Sequence, residues 1–153
     1  MKNIVPILIL LFFLQSCATT SIFKEKINLA GLLKIRDNIE STDNIAKQLL
    51  LKNELSNKII VLNRVKVKDI IASSNVDYDF CVISEVKGDK GDIELYIYSK
   101  NIRAVSRLKK GESYIDAEGE FSRFFTTLDD YYLKIEIVNS RLRILKPDSP
   151  REE

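Results

Sequence analysis

The stretch IELYIYSKNIRAVSRLKKGES, residues 93–113, decides how the rest of the chain is read. Ile93, Leu95 and Ile97 alternate with Glu94, Tyr96 and Tyr98, the period of two that marks a strand with one buried face. Ser99 then offers a helix cap, and Ile102, Val105 and Leu108 recur on one face of a short helix. Arg107, Lys109 and Lys110 fill its last turn, where positive charge complements the helix dipole. Gly111 stands where a left-handed C-terminal residue belongs. The pattern predicts a strand, a short helix with a firm stop, and a new strand from Ser113 to Phe121.

Upstream, Lys87-Gly88-Asp89-Lys90-Gly91-Asp92 reads as a hairpin turn, so the strand before it, Tyr78 to Ile83, pairs antiparallel with residues 93–98. That strand is apolar on both parities and is expected to be covered on both faces for part of its length. Ser73-Ser74-Asn75 is a turn. Before it, Ile59, Val61, Val65 and Val67 share one parity against Arg64, Lys66 and Lys68, which predicts a first strand with a basic outer face. Two helices are expected ahead of it. One spans Ile27 to Ile39 despite Gly31. The other runs from caps at Ser41-Thr42-Asp43 to Asn57, with Ile45, Ala46, Leu49, Leu50 and Leu55 on its apolar face. Downstream, a loop from Ser122 to Asp130 leads to a strand from Tyr131 to Val138, continued by Arg141 to Leu145. Pro147 and Pro150 end the ordered part.

Three strands, a short helix and two further strands is the order of the OB-fold, a five-stranded Greek-key barrel. The span from Lys58 to Leu145 resembles the OB-fold domains of small exported lipoproteins, the tRNA-anticodon-binding-like group. The matching features are a helix leading into Asn57-Lys58-Ile59-Ile60-Val61, the run Leu108-Lys109-Lys110-Gly111-Glu112 before the fourth strand, and Gly119 within it. Asn63 departs from the pattern, because such domains often carry Gly there, and this puts the expected first-strand bulge in question. The fold class is therefore mainly β with helices, an OB-fold-like barrel over residues 58–146 behind a helical extension, 27–57.

Resemblance to that fold implies a ligand face across the second and third strands, bounded by the loops that join strands one to two and four to five. On it would lie Tyr78 or Phe80, with Tyr96, Tyr98, Arg123, Phe124, Phe125 and Tyr131, a set combining stacking surface with positive charge. Phe124 and Phe125 admit two readings: a plug folded over the barrel end, or an exposed apolar tip for a partner protein or glycan. Arg103, Arg107, Lys109 and Lys110 read as a solvated helix face.

At the N-terminus, Lys2 precedes an apolar run from Ile4 to Leu14 that is too short for a membrane span. Leu14-Gln15-Ser16-Cys17 closes it and resembles the lipobox of bacterial lipoproteins, with a Leu three residues before the Cys and a small residue next to it. The resemblance implies a signal peptide over residues 1–16, acylation of Cys17, and a tether over 17–26 that holds the domain off a membrane of the bacterial envelope. Ala18, rather than Asp, after the Cys resembles the outer-membrane class. Two or more acyl chains anchor stably, since each buried methylene contributes about 0.8 kcal/mol. This compartment counts against nucleic acid as a partner, and favours the membrane, an envelope protein or a glycan.

Charge and composition exclude more than they assign. The net charge is +2, falling to +1 once Lys2 is removed, which is not the balance of a basic nucleic-acid binder. There is no His, and once Cys17 is acylated Cys81 is the sole thiol, so His-based triads, zinc sites and an internal disulfide are out of reach. Cys81 lies between Phe80 and Val82 and reads as a core residue. Asp77, Asp79, Glu85, Asp92 and Glu94 lack the spacing of a calcium loop and read as a solvated strand face paired to Arg64, Lys66 and Lys68. No catalytic group, metal or cofactor is expected. The expected role is a lipid-anchored interaction module; the alternative is a binder of an oligosaccharide, an oligonucleotide or another small ligand at the barrel face.

Overall fold

The computed structural model describes residues 24–89, 91–126 and 132–146. The elements in chain order are β1 (Lys26–Asn28), α1 (Leu29–Glu40), α2 (Ile45–Ser56), β2 (Ile59–Ala72), β3 (Phe80–Gly88), β4 (Gly91–Tyr98), α3 (Ile102–Val105), β5 (Tyr114–Thr126) and β6 (Tyr132–Leu145). The sheet order is β1-β2-β3-β4-β6-β5, and β2 also pairs with β5, which closes β2 to β6 into a five-stranded barrel. β4 and β6 run parallel, while β2–β3, β3–β4, β5–β6 and β2–β5 are antiparallel. That arrangement, with a short helix between the third and fourth barrel strands, is an OB-fold-like barrel. Closure leaves none of its five strands with an unpaired edge.

Inside the barrel, alternate residues of each strand meet: Val82 on β3, Leu95 and Ile97 on β4, Ile115 and Ala117 on β5, and Ile135 and Ile137 on β6 are essentially inaccessible. β2 contributes Ile60, Leu62, Val65 and Val67, which corrects the single parity expected for Ile59, Val61, Val65 and Val67. Pairing with β5 shifts register between Leu62 and Val65, and Arg64 is in the left-handed region at φ 50°. One extra residue in a strand turns every later side chain to the opposite face. The first-strand bulge is therefore present without glycine. Its backbone is held by the Arg64 N–H, which donates to Asp116 Oδ1 at 2.8 Å, and the Arg64 guanidinium lies 5.1 Å from the Tyr114 ring centroid.

Helices close both barrel ends. Val105 and Leu108 plug the end beyond β4, while Leu32 of α1 and Leu55 of α2 join the same core from the other side. The helical extension is thus built into the barrel's core. Asn28 caps α1 by accepting from the Gly31 N–H, and Asn44 caps α2 by accepting from the Lys47 N–H. Ahead of α1 the chain forms a parallel strand on the first residues of β2, which the helical spacing of Ile27 did not predict. α3 is shorter than expected and is capped by Asn101 rather than Ser99; Ser99 donates to the Ser140 carbonyl instead. Gly111, at φ 74°, serves the turn into β5, where its N–H donates to the Val67 carbonyl.

The apolar face expected for α2 is also corrected. Leu55 is buried, but Ile45, Leu49 and Leu50 are 80%, 59% and 69% exposed. Gln48, Leu51 and Leu55 form the inward face, because the turn that positions α2 is set by its docking on α1 and β5. Residues 1–23, including Cys17 and the stretch that resembles a lipobox, and the tail 147–153 lie outside the described residues. No helix of the described residues is long and apolar enough to cross a membrane.

Candidate ligand face

Register places the outward residues of four strands in rows. Ile83 pairs with Tyr96, Tyr96 with Glu136, and Glu136 with Arg123, so one row crosses β3, β4, β6 and β5. The adjacent row brings together Glu85, Glu94 and Lys134. These rows are the outer faces of the strands whose alternate residues fill the core, a direct consequence of the period of two.

The face is dense with ion pairs. Two carboxylates directly opposite one another, Glu85 and Glu94, would repel, but Lys68 Nζ reaches both at 2.5 and 2.9 Å. Lys134 Nζ approaches Glu94 at 3.8 Å and lies 5.3 Å from the Tyr96 ring centroid. Tyr96 donates its hydroxyl to Glu94 Oε2 at 3.0 Å and accepts from Lys134 Nζ at 3.2 Å. Arg123 holds the buried Glu136 with two bonds, 2.6 and 2.9 Å, and that carboxylate keeps the guanidinium above its usual pKa range. Lys68, Lys134 and Arg123 thus balance Glu85, Glu94 and Glu136. The result, among the described residues, is a polar, aromatic surface on which these six charges cancel.

One border is a cover. Tyr78, from the β2–β3 loop, packs on Tyr98 with ring centroids 5.4 Å apart. Its hydroxyl donates to Asn139 Oδ1 at 2.8 Å and accepts from the Asn139 N–H at 3.0 Å. Asn139 has φ 51° at a second bulge, in β6, and Asn tolerates that region better than most residues. Lys100 Nζ stands 5.5 Å from the Tyr78 ring centroid. Beneath this cover Cys81, Ile83 and Tyr98 form a small apolar cluster. Burial pushes both the Cys81 thiol and the Tyr98 hydroxyl up to about 12. Cys81 is accordingly an inert packing residue, as its apolar neighbours predicted.

The residues read as ligand-facing therefore separate. Tyr96 and Arg123 stand together on the face. Tyr98 is 3% exposed under Tyr78, a correction caused by the loop that folds back over it. Phe124 faces the other way: it packs against the barrel core, with its ring 5.8 Å from that of Phe121. A register shift between Phe121 and Arg123 puts both phenylalanines inward and Arg123 outward, which favours the plug reading for Phe124. β5 continues to Thr126, so the loop expected from Ser122 begins later. Phe125 pairs with Lys134 through its backbone. Tyr131 lies outside the described residues. Lys134 and Glu136 were missed as members of the face, and Lys68 was read only as a charge partner of the strand carboxylates. The sequence signal of Lys134 and Glu136 was alternation alone, and the strand partners that unite the three come from the closed sheet.

A second concavity of about 440 Å³ lies between α1 and the β3–β4 turn, lined by Leu33, Arg36, Asp37, Glu40, Ile93 and Leu133 among others. Nothing in the sequence pointed to it, because it exists only where the N-terminal helix meets the hairpin.

No protein-family model matches the sequence, and no curated protein matches it. Among solved structures, the chain is similar to the single-stranded-DNA-binding protein SSB of Plasmodium falciparum in complex with ssDNA, at 19% identity and a TM-score of 0.35, over 57% of this chain and 94% of that one. It is also similar to the asparaginyl-tRNA synthetase of Entamoeba histolytica in complex with asparaginyl-adenylate, at 11% identity and a TM-score of 0.34; the match covers 63% of this chain and spans 24% of the synthetase. The likeness is one of fold, and because an OB-fold-like barrel can host oligonucleotides as well as oligosaccharides, the expectation against nucleic acid that was drawn from compartment is corrected.

Proposed function

We propose that the chain is a non-catalytic binding module, held to a bacterial membrane through acylated Cys17, whose ligand lies across the outer face of β3, β4 and β6. The single observation behind the binding site is the row of Tyr96, Glu136 and Arg123 beside Glu94 and Lys134, preorganised by the bonds described above. Positioned donors, acceptors and an aromatic ring on a rigid sheet suit an extended polar ligand, because little side-chain freedom is lost when it binds. Balanced charge matches a neutral chain such as an oligosaccharide. A second reading places single-stranded nucleic acid on the same face, favoured by the Tyr96 ring with Lys134 and Arg123 close by. The support for anchoring is the match of Leu14, Ser16 and Cys17 to the lipobox.

The test is a titration of the full chain with neutral oligosaccharides and with single-stranded oligonucleotides, in low and high salt. The oligosaccharide reading expects salt-insensitive binding that weakens about five- to thirtyfold in Tyr96→Ala, the loss of roughly 1–2 kcal/mol of stacking. Steep salt dependence with oligonucleotides alone assigns the face to nucleic acid. Binding that ignores Tyr96→Ala, or no binding to either, overturns the site. Membrane partitioning of Cys17→Ala at the level of the natural chain overturns the anchor.

A further inference from the structure

The outer side of α2 has the composition of a buried surface and is not buried. Ile45, Leu49 and Leu50, at 80%, 59% and 69% exposure, stand with exposed Ala46 opposite the inward Gln48, Leu51 and Leu55. At 100° per residue these four share one side of the helix over its first half, with exposed Asn53 on the same side one turn further on; exposed Lys52 falls on one flank, and exposed Glu54 and Lys47 on the other. Isolated exposed apolar residues are ordinary, but four on one side of the first half of a helix, with lysines at both flanks, are not.

The fold also fixes where the N-terminal arm joins the domain. Lys58 Nζ bridges Glu25 at 2.6 Å and Glu54 at 3.2 Å, and the Ile59 N–H donates to the Glu25 carbonyl. Lys24 and Lys26 pair with Glu120 and Glu118 on β5. The arm therefore meets the barrel beside the C-terminal turn of α2. From Glu25 back to Cys17 the chain can span at most roughly 28 Å, and α2 is about 18 Å long. A lipid on Cys17 keeps the C-terminal turn of α2 within one arm's length of the bilayer surface, and the ridge, less than one helix length further along, within reach of it.

From the ridge, its flanking lysines and the arm's point of entry, we infer that the outer face of α2 is a second membrane contact: Ile45, Leu49 and Leu50 enter the interfacial region, and Lys47 and Lys52 lie against anionic headgroups. The inference rests on the anchoring reading above. Apolar side chains below and lysines at headgroup level is how an interfacial amphipathic helix lies in a bilayer. Lipid alone would leave the barrel free to tumble on its tether; a docked α2 gives it one orientation.

The chain has no Trp, so a single Trp introduced at Leu49 is a unique reporter. Leu49→Trp, and Val76→Trp in the β2–β3 loop as a control, would be made in the full acylated chain. Each would be placed in phosphatidylcholine–phosphatidylglycerol vesicles with or without brominated acyl chains. The inference expects blue-shifted Leu49→Trp emission quenched about twofold by the brominated lipid, with Val76→Trp unaffected, and loss of quenching when Ile45 and Leu50 are changed to Glu. Acylated, membrane-bound protein whose Leu49→Trp emits as in water overturns the contact and leaves the anchor intact. Absence of acyl mass on the Cys17 peptide, with the chain staying in solution, overturns the anchor and with it the contact. A blue shift that depends on protein concentration and resists brominated lipid assigns the ridge to a second copy of the chain and overturns the contact.

Discussion

The Arg64 N–H donates to Asp116 Oδ1 at 2.8 Å, across the bulge that reverses the parity of β2. Asp116 Oδ2 also accepts from Arg143 Nε at 2.9 Å, so one carboxylate ties the bulged strand to β5 and β6. Without this bond the Arg64 amide would lack its partner, and the switch of Val65 and Val67 into the core would lose its support.

Asp116→Ala should therefore destabilise the fold by about 1–3 kcal/mol, the cost of an unsatisfied amide and a lost charge-assisted bond. Arg64→Gly should have the opposite tendency. Relief of a left-handed residue gains about 1 kcal/mol, which the lost contact with Tyr114 and the greater freedom of the unfolded glycine partly offset. Urea unfolding of both variants checks the signs.

Gly119 sits on the inner side of β5, opposite the second bulge. A Cβ there would meet Ser140 Oγ, Ile137 Cγ2 and, at 2.8 Å, the Val138 carbonyl oxygen. Backbone cannot yield cheaply, so Gly119→Ala should cost about 1–3 kcal/mol. Gly88→Ala is the milder comparison, because its nearest neighbour is the flexible end of Ile93 at 2.7 Å. Equal unfolding midpoints for the two variants would contradict this ordering.

Ser84 faces the barrel core, and its hydroxyl is buried without a hydrogen-bond partner. A hydroxyl so placed has lost its water and gained nothing. Ser84→Ala should raise stability by about 1 kcal/mol, read as a higher thermal midpoint, whereas Ser84→Asn should lower it.

Phe124 should behave as a plug. Phe124→Ser removes a half-buried ring from the Phe121 contact, and is expected to destabilise by about 1–3 kcal/mol while leaving ligand binding at Tyr96 unchanged in the remaining folded protein. Loss of binding without loss of stability would make the residue part of an interface.

Alkaline pH should weaken the fold in a defined window. Cys81 is raised from 9.0 to about 12 and Tyr98 from 10.0 to about 12, both chiefly by burial. Each is neutral in the folded state where the unfolded chain has already ionised, so stability is full below pH 9 and falls as pH rises toward 12. The slope is at most about 1.4 kcal/mol per pH unit for each group. Unfolding at pH 8 and at pH 10.5 checks the direction. Cys81→Ala should flatten the dependence, and Cys81 should resist thiol reagents at pH 8 until urea is added.

Much of the barrel was legible in the sequence because the strand period of two and the turn signals are local. Glu94, Tyr96 and Tyr98 alternate with Ile93, Leu95 and Ile97, and the structure keeps that division between inner and outer faces. The order of strands around the short helix then allowed few closures. Buried Cys81 and the pairing of Lys68 with Glu85 and Glu94 were likewise readable, from apolar flanks and opposite charges on neighbouring strands.

Local pattern failed wherever a single residue changes the count or a distant element chooses the face. The bulge at Asn63 and Arg64 has no glycine to announce it, and it reversed the expected parity of Ile59 and Val61. The spacing of Ile45, Leu49, Leu50 and Leu55 is helical, but spacing cannot say which side docks; α1 and β5 select Leu51 and Leu55 and leave the remainder outside. Tyr98 reads as an outward residue and is one, yet Tyr78 reaches over it from a loop whose path depends on Asn139, 61 residues away in the chain. By itself, then, the sequence determined the order of the barrel strands and helices and the inner face of β4, since each rests on neighbours within a few residues. Which faces are open, which tyrosine is available and where the arm meets α2 were decided by the closed barrel, because burial is settled by elements far apart in sequence.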